Sequence, residues 1–127
     1  MILVDSCGWL EFLTDGPLAD EYALFFEDPE QIVTPTIVLY EVTKKIQQEK
    51  SKDKAQAVAA QMVRTTVVDL DAQIALLAAD ISLQQNIPMA DAIVYATAQA
   101  RDCQVATSDR HFINLPQVLF RGSNLKS

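Results

Sequence analysis

Four carboxylates in this chain interrupt or border apolar runs. Asp5 ends Met1-Ile2-Leu3-Val4, Glu41 breaks the run from Ile37 to Val42, Asp91 opens Ala92-Ile93-Val94-Tyr95-Ala96, and Asp109 closes Val105-Ala106-Thr107-Ser108. A carboxylate buried without a partner costs several kcal/mol or takes up a proton. Convergence of the four on a divalent cation would relieve both the burial and their mutual repulsion. The other acids, such as Glu27, Asp28, Glu30, Glu49 and Asp53, lie among polar neighbours and read as solvated.

Each candidate has a plainer rival. Asp91 fits a first-turn acid favoured by the helix dipole, worth about 0.3–1 kcal/mol. Glu41 has Lys44 and Lys45 at helical spacing and could form a surface ion pair. The hydroxyls of Ser6 and Thr107 could orient a carboxylate or hold water, or simply cap a turn. Asp71 reads as a helix cap and Asp69 as a strand-edge residue, so both are excluded. His111 is the only histidine, and without a second imidazole it reads as a loop residue rather than a ligand or base.

The chain has no G-x-S-x-G elbow, and its three glycines form no phosphate loop. An acid set without thiolate or imidazole selects hard cations, Mg2+ or Mn2+. Such ions activate water and neutralise charge on a phosphodiester. The residues leave open a nuclease for RNA or DNA, another phosphoesterase, or a non-catalytic acidic-pocket module. A receiver-like module would need a lysine at the end of a late strand, and Val105–Ser108 and Val118–Phe120 offer none.

Short apolar runs alternate with longer helical patterns, the mark of βαβ units and a parallel sheet. Strands are expected at residues 2–4, 31–34, 67–70, 104–107 and 118–120. Helices are expected at 9–13, 18–26, 36–49, 53–64, 72–85 and from Pro88 to about residue 100. In open parallel sheets functional groups gather beyond the carboxyl ends of strands, where strand order reverses. A doubly wound order of 3-2-1-4-5 would set Asp5 and Asp109 beside that point. Asp91 would join from the helix feeding the fourth strand, and Glu41 from the helix after the second.

With 127 residues, half of them hydrophobic, the chain suits one domain over residues 1–127. It shows no membrane span and no signal-peptide pattern, and Cys7 and Cys103 read as reduced thiols of a cytoplasmic protein. A net charge of −7 argues against coating nucleic acid by bulk electrostatics. Five of the ten basic residues nevertheless fall in Lys44–Lys54, which carries two acids and a net charge of 5 − 2 = +3.

Ile2-Leu3-Val4-Asp5-Ser6, Glu41, the stretch from Ile87-Pro88-Met89-Ala90-Asp91 to Ala98, and Val105-Ala106-Thr107-Ser108-Asp109-Arg110-His111-Phe112, in that order, resemble a PIN domain. The likeness is greatest to the toxins of VapBC toxin-antitoxin pairs, and it spans essentially the whole chain. It implies a three-layer α/β/α fold with a central parallel sheet, and an Mg2+- or Mn2+-dependent endoribonuclease acting by metal-activated water. Asp5, Glu41, Asp91 and Asp109 match the acidic positions of the family site, and Thr107 its hydroxyl partner. Asp5, Asp91 and Asp109 would hold the principal ion, and Glu41 a second ion or the attacking water. Some relatives carry a further acid just after the Asp109 position, where this chain has Arg110 and His111. The resemblance also implies an RNA substrate, a homodimer and a small antitoxin of a type II pair, whose C-terminal segment sends a basic side chain into the acidic pocket. Trp9 and Phe12, just beyond Asp5, are expected to leave an apolar groove for that segment beside the acids.

Overall fold

A computed structural model of the chain describes residues 1–122. Five short strands, β1 (Ile2–Val4), β2 (Ile32–Pro35), β3 (Thr66–Val68), β4 (Gln104–Thr107) and β5 (Val118–Phe120), form one sheet. The order is β3-β2-β1-β4-β5 and every pairing is parallel. Leu3, Val4, Val33, Val105 and Ala106 of the central strands are buried. That is why those strands read as unbroken apolar runs rather than alternating ones. The chain steps from β1 out to β3, then returns to the other side of β1 as β4, so strand order reverses between β1 and β4.

Helices α1 (Ser6–Leu13), α2 (Ala19–Ala23), α3 (Thr36–Glu49) and α4 (Lys52–Met62) fill the first two crossovers, while α5 (Ala72–Gln85) and α6 (Met89–Ala100) fill the return. α1 packs on α2 and α3, α3 on α4, and α5 on α6. Right-handed crossovers put the outward and return groups on opposite faces of the sheet, giving three layers.

Local chemistry sets the element ends. Asp71 accepts the Ile74 N–H at 2.8 Å and caps α5, whose far end closes on Asn86 in the left-handed conformation at φ 54°. Ser51 caps α4 through the Lys54 N–H. Pro88 precedes α6, where its missing N–H is no loss.

Most boundaries fall within one or two residues of the sequence expectation, and three differences have a clear physical cause. α1 begins at Ser6 rather than Trp9, because Asp5 itself is the N-cap, its side chain taking the Ser6 N–H. The expected helix over 18–26 ends at Ala23, and Leu24–Phe26 tightens into a 3₁₀ turn, a common way to satisfy terminal carbonyls. β3 stops at Val68, leaving Asp69 and Leu70 exposed outside the sheet.

Tyr22 and Phe112 are the largest fully buried side chains, and Tyr22 lies against α1 where Gly8 has no side chain. A Cβ there would sit 2.5 Å from Tyr22 Cε1 and 2.8 Å from Val4 Cγ1. Both neighbours belong to the core and cannot retreat freely, so Gly8→Ala overpacks this point. It should lower the free energy of unfolding by about 1–3 kcal/mol. Chemical denaturation that gives the same stability for both proteins would show that the contact relaxes without cost.

Candidate functional site

The β1–β4 pairing carries Asp5 to its place. Val4 faces Ala106, and the Asp5 N–H extends the ladder by donating to the Ala106 carbonyl at 3.0 Å. Asp5 therefore arrives beside Thr107. The Thr107 hydroxyl donates to Asp5 Oδ2 at 2.8 Å, and the Ser6 N–H donates to Oδ1 at 2.8 Å. In turn the Asp109 N–H donates to Thr107 Oγ1 at 2.9 Å. The Asp109 carboxylate caps the 3₁₀ turn Arg110–Phe112 by taking the His111 N–H. Asp5 is only 4 % exposed, so its charge has little water to rely on.

Glu41 comes from the second turn of α3, and Asp91 from the first turn of α6. Asp5, Glu41 and Asp91 each feel the charge of other acids in the set. Burial raises the Asp5 carboxyl above its usual range; the Thr107 and Ser6 hydrogen bonds oppose that, and the charge of Asp109 adds to it. Glu41 is raised by burial and then by Asp5, with a Ser6 hydrogen bond opposing and Asp109 adding. Asp91 is pushed up to about 7, first by burial, then by the charges of Asp109 and Asp5, with His111 pulling the other way.

The rival reading of Glu41 is not realised, since Lys45 pairs with Glu49 at 2.9 Å and Lys44 reaches the Tyr40 hydroxyl at 3.3 Å. Asp91 does occupy the first turn of its helix, so dipole and cluster both act on it. Asp69 and Asp71 stay outside the cluster, Asp71 as a cap.

His111 is the residue that the sequence reading set aside and the fold brings in. Its Nδ1 lies 2.7 Å from Asp91 Oδ2 and 3.0 Å from Asp109 Oδ1. Asp91, Asp109 and His111 offer one ligand atom each, all within 4.8 Å of one another. The signal in the sequence was its place two residues after Asp109, but nothing local shows that Asp91 waits on the other side. The imidazole donor occupies the point between two carboxylates where positive charge is most favourable. An oxygen-rich set with partly suppressed ionisation also fits a hard divalent cation, whose charge would restore the ionised forms.

Two depressions lie along α1, only one of them near the acids. Cys7, Leu10, Pro17, Leu18 and Ser108 line one of about 460 Å3 next to them. The expected aromatic groove exists, of about 240 Å3, with Phe12 stacked on Phe26 at 4.1 Å and Trp9 edge-on to Phe26 at 4.7 Å. It is not beside the acids. Its other walls are Ile32 at the start of β2 and Thr65 just before β3, so it lies toward the amino ends of the strands. α1 runs away from Asp5, and from Ser6 to Phe12 it travels about 9 Å.

The PIN domain family matches residues 2–118, and the chain belongs to that family. No curated protein matches the sequence. Among solved structures, VapC20 from Mycobacterium tuberculosis, a sarcin-ricin loop cleaving toxin, superposes with a TM-score of 0.77 at 20 % identity, over 96 % of this chain and 100 % of that one. A toxin-antitoxin complex from Klebsiella pneumoniae gives 0.76 at 21 % identity, over 94 % and 96 %. VapBC2 from Rickettsia felis, bound to a DNA fragment from its promoter, gives 0.76 at 18 % identity, over 96 % and 100 %. At these identities the likeness establishes the fold. No helix among the described residues is long and apolar enough to cross a membrane.

The raised Asp91 value makes stability depend on pH in a defined direction. Its folded value of about 7 lies above the usual 3.8, so the group favours folding when protonated. That contribution is complete below the usual value and is lost as pH rises through about 7. In metal-free buffer the wild-type melting temperature should therefore fall more than that of Asp91→Asn between about pH 5 and about pH 8. Parallel melting profiles for the two proteins would show that Asp91 is not raised in the folded state.

Proposed function

We propose that this chain is the toxin of a type II toxin-antitoxin pair, a cytoplasmic endoribonuclease in which residues 1–127 work as one PIN-like domain. The observation that carries the reading is the meeting of Asp5, Glu41, Asp91 and Asp109 at the carboxyl ends of β1 and β4, with Asp91 pushed up to about 7. Membership of the PIN family and the fold shared with VapC20, a sarcin-ricin loop cleaving toxin, support it.

Asp5, Asp91 and Asp109 would hold the principal divalent cation, Mg2+ or Mn2+, which when bound supplies charge neutralisation at the phosphate and lowers the pKa of water. Thr107 fixes the rotamer of Asp5 and, through the Asp109 N–H, the spacing of the two acids. Glu41, made more basic by burial and its acidic neighbours, is suited to orient the attacking water and accept its proton. The water oxygen bonds to phosphorus as Glu41 takes its proton, the P–O3′ bond breaks, and the leaving 3′ oxygen takes a proton from solvent. The products are 5′-phosphate and 3′-hydroxyl ends. The half-exposed His111 ring, whose Nδ1 lies between Asp91 and Asp109, would have to turn aside or join the ligands for a cation to bind there.

Cleavage of RNA should require Mg2+ or Mn2+, stop with EDTA, and fall by at least ~10²-fold in Asp5→Asn, as on removal of a charge-stabilising group. Undiminished cleavage by that variant in EDTA would refute the mechanism. Preference for a DNA or monoester substrate in the same assay would move the reading to another phosphoesterase.

Two surfaces suit the partners of such a toxin. An apolar antitoxin segment fits the Phe12–Phe26 groove and the Leu10–Leu18 depression, and the place held by the His111 donor suits a basic side chain. The second surface supports a homodimer. Leu76, 72 % exposed, and Leu83, 85 % exposed, lie two turns apart on α5. Leu70, Leu83 and Met89, with Ala75, Ala78 and Ala92, line a trough of about 440 Å3. Exposed apolar surface of this kind marks an association site, and small residues allow close approach. Leu83→Glu should convert a dimer to a monomer in sedimentation without loss of fold; a wild-type protein that sediments as a monomer would refute the dimer.

A further inference from the structure

A chain of partly buried polar contacts reaches the acids from an element with no acid of its own in the cluster. The Tyr22 hydroxyl of α2 is bonded to Ser108 Oγ, although its ring is fully buried. The Ser108 N–H donates to Cys7 Sγ at 3.3 Å. That sulfur lies 3.5 Å from Thr107 Oγ1 and 3.8 Å from Asp5 Oδ2. Thr107 Oγ1 is the same atom that donates to Asp5 and accepts from the Asp109 N–H.

We infer that Tyr22, Cys7 and Ser108 are positioning residues that hold Thr107, and through it Asp5 and Asp109, at the spacing the cation requires. Packing alone does not call for these groups. A phenylalanine would fill the space of the Tyr22 ring, and an alanine would suit the first turn of α1 better than a cysteine. A buried hydroxyl stays only where a partner receives it, and here the partner is in the loop that presents Asp109. Gly8 serves the same end, since a Cβ at 2.5 Å would push the Tyr22 ring away from α1 and take its hydroxyl from Ser108. α1, α2 and the loop after β4 are thereby tied at one point, next to carboxylates that repel one another and would otherwise spread.

The inference rests on the metal-site reading, and its test reads binding apart from cleavage. The metal-free protein is titrated with Mn2+ by calorimetry as wild type, Tyr22→Phe, Cys7→Ala and Cys7→Ser, and RNA cleavage is followed in parallel. Tyr22→Phe keeps the ring and should weaken Mn2+ binding about 10-fold, as loss of an outer-shell partner does. Cys7→Ala should do the same. Cys7→Ser should recover much of the loss, because a hydroxyl can still accept the Ser108 N–H. kcat should fall with Mn2+ affinity while KM for RNA holds. Mn2+ affinities of Tyr22→Phe and Cys7→Ala within about twofold of wild type, whatever their melting temperatures, would reduce the network to a structural one and overturn the inference. A wild-type protein that binds no Mn2+ would overturn the metal reading and this inference with it. Weakened Mn2+ binding in the variants of a protein that cleaves no RNA would uphold the inference and remove only the ribonuclease reading.

Discussion

The repulsion among four carboxylates drawn into one partly dehydrated volume is the constraint that the rest of the site answers. Asp5 is almost wholly buried and cannot be solvated, so the backbone and hydroxyl donors around it must supply what water would. They do so incompletely, and Asp5, Glu41 and Asp91 all remain harder to ionise than free carboxyls. A cluster in that condition holds free energy that positive charge can release. The His111 Nδ1 sits between Asp91 and Asp109, within hydrogen-bond distance of both.

The sheet makes this strain tolerable by confining it to one end. The carboxyl ends of β1 and β4 open where strand order reverses, and the first turn of α1 points its backbone donors at the same place. Helix N-termini favour negative charge, so α1 and α6 each offset part of the cost of the acid at their start. Toward the opposite end of the sheet lies an aromatic groove. α1 connects the two, with Asp5 capping its start and Trp9 and Phe12 on its later turns. An apolar ligand in the groove and a cationic one at the acids would therefore grip the same short helix from its two ends.

The polar contacts that reach the acids set this site apart from a bare cluster of surface carboxylates. Thr107 serves both Asp5 and Asp109 with one oxygen, and the Cys7, Ser108 and Tyr22 contacts brace that oxygen. Removing a member of such a network costs more than its own hydrogen bond, because the remaining groups are left buried and unpaired.

The four acids stand out in the sequence because burial cost is a local property, and each stands against an apolar run. The sheet order was legible for a related reason: apolar runs alternating with helical periods admit few topologies once crossovers are right-handed. The bounds of β1, β4 and β5 were read correctly from hydrophobicity alone. The start of α1 was not, because Asp5 acts as cap and cluster member at once, and a sequence shows no residue serving two structures. His111 was set aside for want of a second imidazole, yet its partners are Asp91 and Asp109, one of them twenty residues away on another element. The aromatic groove was foreseen but misplaced, since sequence distance from Asp5 says nothing of the direction in which α1 runs. The sequence by itself determined which groups would be costly to bury; only the tertiary structure decided which of them meet, because meeting depends on strand register and helix direction, and neither is written in any single segment.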